Sequence, residues 1–291
     1  MAATPFGKLF SNSIKHTKKY IKPILTGVIV FGLITAGAQI YMAQEVQTGM
    51  NNILEEMGTS TVEMEEIVER VGAGDEGAME ELVKKMAEAG AALEGMEEME
   101  KTAYMETQAK QIMLSIMPEV GMLALVLAVV YFLGSLYYFV QAVDKEKSVG
   151  KIVKRAISLI LPIIGVTIIF AVISLIGVIP ILGAIILLII MPRLSLACYL
   201  IAKEKKGVFE SIKLSWKRSK GYWCKIVGNF LLLGIILAVI AWGITIVSPT
   251  VMAVSAVLYT VVYVLVTQLL SAFSFIFYAN LAETVLGNPK R

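Results

Sequence analysis

Two long stretches without a charged side chain constrain the fold of this sequence more than any other feature. Residues 226–282 hold no Asp, Glu, Lys or Arg over 57 positions, and residues 156–192 hold none over 37. About 20 apolar residues in a helix cross the hydrocarbon core of a bilayer. The chain is also 57% hydrophobic, against roughly 45–50% in soluble domains. Soluble globular, fibrous and disordered classes are excluded, and the sequence predicts an all-α polytopic membrane protein.

The charge-free windows predict about six transmembrane helices. The long windows are divided where helix-breaking residues cluster, at Gly177-Val178-Ile179-Pro180 and at Ser248-Pro249-Thr250. Proline favours the first turn of a helix, and Ser248 is a suitable N-cap residue. The predicted spans are 23–44, 113–143, 156–177, 181–202, 226–247 and 251–282.

The distribution of basic residues predicts the orientation. Residues 1–22, 144–155, 203–225 and 283–291 hold 20 of the 26 Lys and Arg residues, whereas residues 45–119 hold eighteen acidic residues and five basic ones. Lys and Arg favour the cytoplasmic side of a membrane. We therefore expect a multi-pass protein of the cell membrane with a basic cytoplasmic N-terminus (1–22) and a cytoplasmic tail (283–291).

The first hydrophobic segment has a second interpretation. Lys15 to Lys22 resemble the basic region of a signal peptide, residues 24–35 its apolar region, and Ala36-Gly37-Ala38 a cleavage site. The apolar run continues through Ala43, however, which favours a retained signal anchor over a cleaved peptide.

Residues 45–112 predict an acidic helical hairpin outside the cytoplasm. Apolar residues step by three and four in two arms, as in a coiled coil, and residues 72–77 contain three glycines suited to a reversal. The arms are expected to continue the first and second membrane helices. A solvated spacer and a docking surface for a protein partner are both compatible with this composition. Its carboxylates match no calcium-binding loop.

The connector 203–225 predicts a short basic amphipathic helix. Phe209, Ile212 and Trp216 lie at i, i+3 and i+7 with lysines between them, a pattern suited to a membrane interface. Trp223 fits the aromatic belt at the start of the next span. The alternatives are an ordinary anchored loop and a site for anionic lipid headgroups. The candidate lipid-interface residues are Phe209, Lys213, Trp216, Lys217, Arg218 and Trp223.

Arg193 is the candidate intramembrane site, because a charged side chain within a span costs about 2.5 kcal/mol or more. Pro192 removes a backbone donor beside it and is expected to kink or break the helix. Gln268, at comparable depth in the sixth span, is a candidate hydrogen-bonding partner. Two interpretations remain: an Arg193 side chain that reaches the interface and only fixes helix packing, and one that contacts a ligand or a lipid headgroup.

Catalytic and metal-binding patterns are absent from the sequence. One histidine and two cysteines make most metal sites, a disulfide scaffold and a His-based catalytic relay improbable. There is no G-x-S-x-G, no H-E-x-x-H and no phosphate-binding glycine loop. We expect a non-enzymatic protein without cofactor or metal, whose partners are membrane lipids rather than nucleic acid.

Residues 150–285 resemble a prokaryotic multi-helix membrane domain that is fused to some glycerophosphodiester phosphodiesterases and also occurs alone. The resemblance rests on Pro192–Ala197, Glu204–Gly207, Glu210–Trp216, Gly221–Trp223 and Phe277–Glu283. The acidic insert and the hydrolytic barrel of the fused proteins are not part of it. It implies a stand-alone membrane protein concerned with lipids or the envelope.

Three functions are compatible with these features. The first is a non-enzymatic envelope scaffold or lipid-associated component that acts through the hairpin and the basic connector. The second is a component of a lipid or small-molecule transporter or channel, which the shortage of intramembrane polar residues disfavours. The third is an insertase-like protein, whose hairpin is expected on the opposite side of the membrane.

Overall fold

The computed structural model describes residues 5–56, 77, 98–178 and 182–286. Within these residues all regular structure is helical, and six segments are long and apolar enough to cross a membrane, as predicted. A 3-10 turn, Leu175–Val178, follows the fourth helix where the sequence predicted a break. The helices are α1 (Phe6–Lys19), α2 (Ile21–Glu56), α3 (Glu98–Asp144), α4 (Val149–Ser174), α5 (Leu182–Ser195), α6 (Ala197–Glu204), α7 (Val208–Arg218), α8 (Trp223–Val254) and α9 (Ala256–Leu286).

The chain divides into two compact units. One comprises the described residues up to Ala36 and from Val129 onward, and the other those between Gly37 and Ala128. In the second unit, α2 continues past the membrane span that ends at Glu45, and α3 begins well before the span that starts at Val120. Both helices thus extend beyond their membrane spans towards the insert. Most of the predicted hairpin, including residues 72–76 of its reversal, lies outside the described residues.

The boundary between the fifth and sixth spans differs from the prediction. Helix α8 runs through Pro249 to Val254, and the break falls at Ser255. The amide of Leu258 donates to Oγ of Ser255 at 3.2 Å, so Ser255, rather than Ser248, caps the next helix. Neighbouring groups often compensate for proline inside membrane helices, which is why Pro249 is a weak boundary signal.

The N-terminal segment forms a helix that the sequence analysis missed. Residues Phe6, Leu9, Phe10 and Ser13 share one face of α1, which packs along α9. The ring of Phe6 lies 5.5 Å from that of Phe277, and the ring of Phe10 lies 5.4 Å from that of Phe273. The spacing of these residues was the available signal, but the lysines among them suggested only a basic tail.

Outward faces of the long helices are apolar. Leu161 is 82% exposed and Trp242 is 68% exposed, and many other large aliphatic side chains are exposed along the same helices. A water-soluble monomer rarely exposes apolar surface on this scale. These faces fit the hydrocarbon of a bilayer, which supports assignment to a multi-pass membrane protein.

The fourth span is a broken helix whose carbonyl groups receive hydrogen bonds from other helices. Helix α5 ends at Ser195 and α6 begins at Ala197. The hydroxyl of Ser215 on α7 donates to the carbonyl of Arg193, and the hydroxyl of Tyr278 on α9 donates to the carbonyl of Ser195 at 2.5 Å. Because the bilayer core offers no water to backbone groups, these side chains stabilise the break.

Pro192 leaves a third carbonyl group of the same span without its helical hydrogen-bond donor. In an α-helix the carbonyl of Leu188 accepts from the amide of residue 192, which proline lacks. Nε1 of Trp223, at the start of α8, donates to the Leu188 carbonyl at 3.1 Å. A tryptophan that the sequence placed in the aromatic belt therefore also replaces the missing backbone donor.

This arrangement predicts coupling between Trp223 and Pro192. Trp223→Phe should lower the free energy of unfolding by about 1 kcal/mol, because it leaves the Leu188 carbonyl without its donor. In a Pro192→Ala background the new amide supplies that donor, so the same change should cost clearly less. A double-mutant cycle by reversible denaturation in detergent measures the difference. Trp242→Phe on the exposed face of α8 is the control, and equal costs in both backgrounds would contradict the assignment.

Candidate functional site

A cavity of about 490 Å³ lies among the transmembrane helices of the first unit. Its volume is within the usual range of ligand pockets. Side chains from five spans surround it, and six of them are aromatic. The lining residues are Phe132, Ser135, Leu136, Phe139, Ile163, Thr167, Phe170, Ser195, Cys198, Phe230, Leu233, Gly234, Leu237, Ser274, Phe275 and Tyr278.

The cavity presents few free polar groups, although five of its residues carry a hydroxyl. Thr167, Ser195 and Ser274 donate to carbonyls within one turn of their own helices. Tyr278 donates to the Ser195 carbonyl. Only Ser135 has no hydrogen bond among the described residues. The interior therefore suits an apolar molecule, because water there would find few of the two to four polar partners it needs.

Arg193 does not pair with Gln268 in the structure. The guanidinium carbon of Arg193 lies 4.9 Å from the ring centre of Trp216 on α7, a cation–π contact. Gln268 is buried elsewhere on α9, and both its Nε2 and the Nε of Arg193 lack a hydrogen-bond partner within the described part of the chain. The arginine thus contacts the amphipathic helix α7.

A shift along the helix explains why the two residues do not meet. Tyr278 bonds to the carbonyl of Ser195, two residues beyond Arg193. Gln268 lies ten residues before Tyr278, about 15 Å along α9. The depths of Arg193 and Gln268, expected to be comparable from the span boundaries, therefore differ by about two turns.

Helix α7 presents its predicted aromatic and basic residues outward. Phe209 is 79% exposed and Trp216 is 42% exposed, whereas Ser211, Ser215 and Ser219 are fully buried. Small serines let α7 pack closely, and the aromatic side chains remain available to the membrane interface. Of the other candidates, Lys213 and Lys217 are exposed, Trp223 is half-buried, and Arg218 forms an ion pair with Glu204.

Several basic residues hold one end of the helices together. Nη2 of Arg155 donates to the Ala202 carbonyl at 2.8 Å, and Nζ of Lys145 lies 2.9 Å from Oε2 of Glu283. Nδ2 of Asn280 donates to Oγ of Ser13 on α1 at 3.0 Å. Residues from the basic segments thus meet at one end, which we call the basic end and which comprises α1, 144–155, α7 and 280–286.

A second, polar pocket of about 310 Å³ lies at the basic end. Burial, with the positive charge of Lys145, lowers the pKa of His16 on its wall to about 4. Nε2 of His16 lies 3.5 Å from Nε2 of Gln141. The pocket is lined by Asn12, Lys15, His16, Lys19, Tyr20, Lys145, Asn280 and Glu283. Sequence analysis missed it because its walls come from three segments far apart in the sequence: the end of α1, the loop residue Lys145 and α9.

Among the residues that the structure describes, no three His, Cys, Asp or Glu side chains come together as a ligand set. Comparison with family models, with curated proteins and with solved structures found no match. The resemblance of residues 150–285 to the phosphodiesterase-associated membrane domain therefore stays a prediction.

The pKa of His16 gives a direct test of the basic end. This is the one histidine in the sequence, so NMR of the protein labelled with ¹³C-histidine follows a single ring. We expect the ring to stay neutral at pH 6 and to titrate near 4. Because the unfolded chain takes up a proton below about 6.5, stability should fall as pH decreases from 6.5 towards 4. A titration midpoint near 6.5 would contradict the buried position.

Proposed function

We propose that this chain is a non-enzymatic integral membrane protein that holds the apolar chain of a lipid or isoprenoid in the aromatic cavity. The observation that supports it is the cavity itself, bounded by five spans and almost free of available polar groups. An empty apolar space loses dispersion contacts on every wall. The surrounding bilayer supplies chains that restore them, while the aromatic rings select among shapes.

The basic end gives this proposal an orientation. Helix α7 exposes Phe209 and Trp216 beside Lys213 and Lys217, a composition that favours an interface rich in anionic lipid. We propose that the basic end and both termini face the cytoplasm and that the acidic insert lies outside, where it meets a protein partner. The positive-inside tendency supports this assignment.

Transport of a lipid or small apolar molecule is the second candidate function. The break between α5 and α6 supports it, because Ser195 and Cys198 on either side of the break both line the cavity. Interrupted helices at a binding site are common in transporters. Flux of a labelled lipid across reconstituted vesicles distinguishes transport from binding alone.

Filling the cavity tests the proposed lipid site. Gly234 and Gly243 both lie on α8 with open space around their Cβ positions, but only Gly234 lines the cavity. Gly234→Leu should reduce crosslinking by a photoactivatable fatty acid about tenfold, because overlap with an occupied site costs about 1–3 kcal/mol. The matched control Gly243→Leu should label like wild type.

The labelled positions complete the test of the lipid site. Mass spectrometry of the wild-type adduct should find label on cavity residues such as Phe230 and Phe275. Label confined to outward residues such as Leu161, or equal labelling of both glycine variants, would contradict the proposal.

Orientation is tested with single cysteines at Glu88 and Lys147 in a variant that lacks Cys198 and Cys224. On intact cells an impermeant thiol reagent should label position 88 and leave position 147 unlabelled until the membrane is permeabilised. The reverse pattern would overturn the orientation and favour the insertase-like alternative.

A further inference from the structure

The polar pocket at the basic end has an unusual charge balance. Three ammonium groups, those of Lys15, Lys19 and Lys145, line it together with a single carboxylate, that of Glu283. Lys145 is paired with Glu283 at 2.9 Å. Lys15 and Lys19 have no acidic partner within 4 Å among the described residues. Since the neighbouring His16 ring is neutral, the pocket carries a net charge of about +2.

The two lysines without an acidic partner are exposed to solvent, and the helix that carries them is packed against the protein. Lys15 and Lys19 are four residues apart on α1, where like charges repel. The same helix is fixed to α9 by its aromatic contacts and by the bond from Asn280 to Ser13 at 3.0 Å, and Ser13 is fully buried. The fold therefore maintains a repulsive pair that a bound anion would stabilise.

We infer that this pocket binds a phosphate group. A phosphate monoester carries about −1.5 to −2 charges and three acceptor oxygens, which matches the net charge and the three lysine donors. Lysine serves as a point-charge donor to phosphate. The amides of Asn12 and Asn280 add neutral polar groups to the same wall. The group is supplied either by a lipid headgroup or by a soluble phosphate.

This inference does not depend on the apolar cavity. The two pockets share no lining residue. Loss of lipid-chain binding in the Gly234 variant would leave phosphate binding intact. A negative result at one pocket therefore does not contradict the proposal for the other.

Two pairs of substitutions on α1 separate a specific site from general attraction. Lys15→Gln with Lys19→Gln removes the unpaired lysines of the pocket. Lys8→Gln with Lys18→Gln removes the same charge from positions of the same helix that do not line the pocket, and all four lysines are exposed. Binding to the full chain is measured by calorimetry with inorganic phosphate in neutral detergent. It is also measured by native mass spectrometry of adducts from phosphatidylcholine nanodiscs that contain phosphatidic acid.

The first pair should lose about tenfold or more in affinity for whichever probe binds wild type, and the second pair should stay close to wild type. Binding of inorganic phosphate identifies a soluble source, and binding of phosphatidic acid alone identifies a headgroup. Glu283→Gln should tighten binding several-fold, because it removes the opposing carboxylate and frees Lys145. A purely structural role for these residues predicts no such gain.

Two results would overturn the inference. One is failure of both probes to bind wild type. The other is an equal loss of affinity in the two lysine pairs, which would indicate attraction by overall charge alone. Melting temperatures without ligand establish that the compared variants are folded.

Discussion

Backbone carbonyl groups inside the bilayer require hydrogen-bond donors, and the packing of the helices in this protein supplies them. The fourth span contains Pro192 and a break at Leu196, and both leave carbonyl groups short of intrahelical donors. Trp223, Ser215 and Tyr278 donate to three of these carbonyls from three different helices. Each bond fixes one helix against the fourth span, so the defect in one helix positions its neighbours.

The same break shapes the apolar cavity. The carbonyl of Ser195 that receives the Tyr278 hydroxyl belongs to a residue of the cavity wall, and Tyr278 lines that wall as well. Because the Tyr278 hydroxyl already donates to a backbone carbonyl, a ligand in the cavity contacts the tyrosine ring and finds no free hydrogen-bond donor there. The Tyr278 contact therefore contributes both to stabilising the broken helix and to the apolar character of the cavity.

Much of the fold is predictable from the sequence, because charge-free windows directly reflect the thickness of the bilayer. Six spans follow from them, and the 3-10 turn at Leu175–Val178 lies where a break was predicted. The end of α8 does not, because proline tolerance in membrane helices depends on neighbours that a sequence does not reveal. Helix α1 was predictable from the spacing of Phe6, Phe10 and Ser13, but its lysines obscured the pattern.

The sites depend on the relative shift of distant helices, which no local pattern encodes. Comparison of the span boundaries places Arg193 and Gln268 at one level, yet the Tyr278 contact shifts α9 by about two turns from that alignment. Both pockets likewise combine residues separated by more than one hundred positions. Residue types therefore indicated candidate interfaces, whereas the two pockets could be found only from the three-dimensional structure.

The account rests most directly on an apolar chain lying inside the cavity in a bilayer. Methyl NMR of the deuterated protein in nanodiscs, with protonated leucine methyl groups, measures this. Leu233 is buried in the cavity wall, and Leu200 is equally buried but outside it. The account predicts Overhauser contacts between Leu233 methyl groups and lipid chain protons, with none at Leu200. Contacts of Leu233 with water alone, or the absence of any contact, would contradict it.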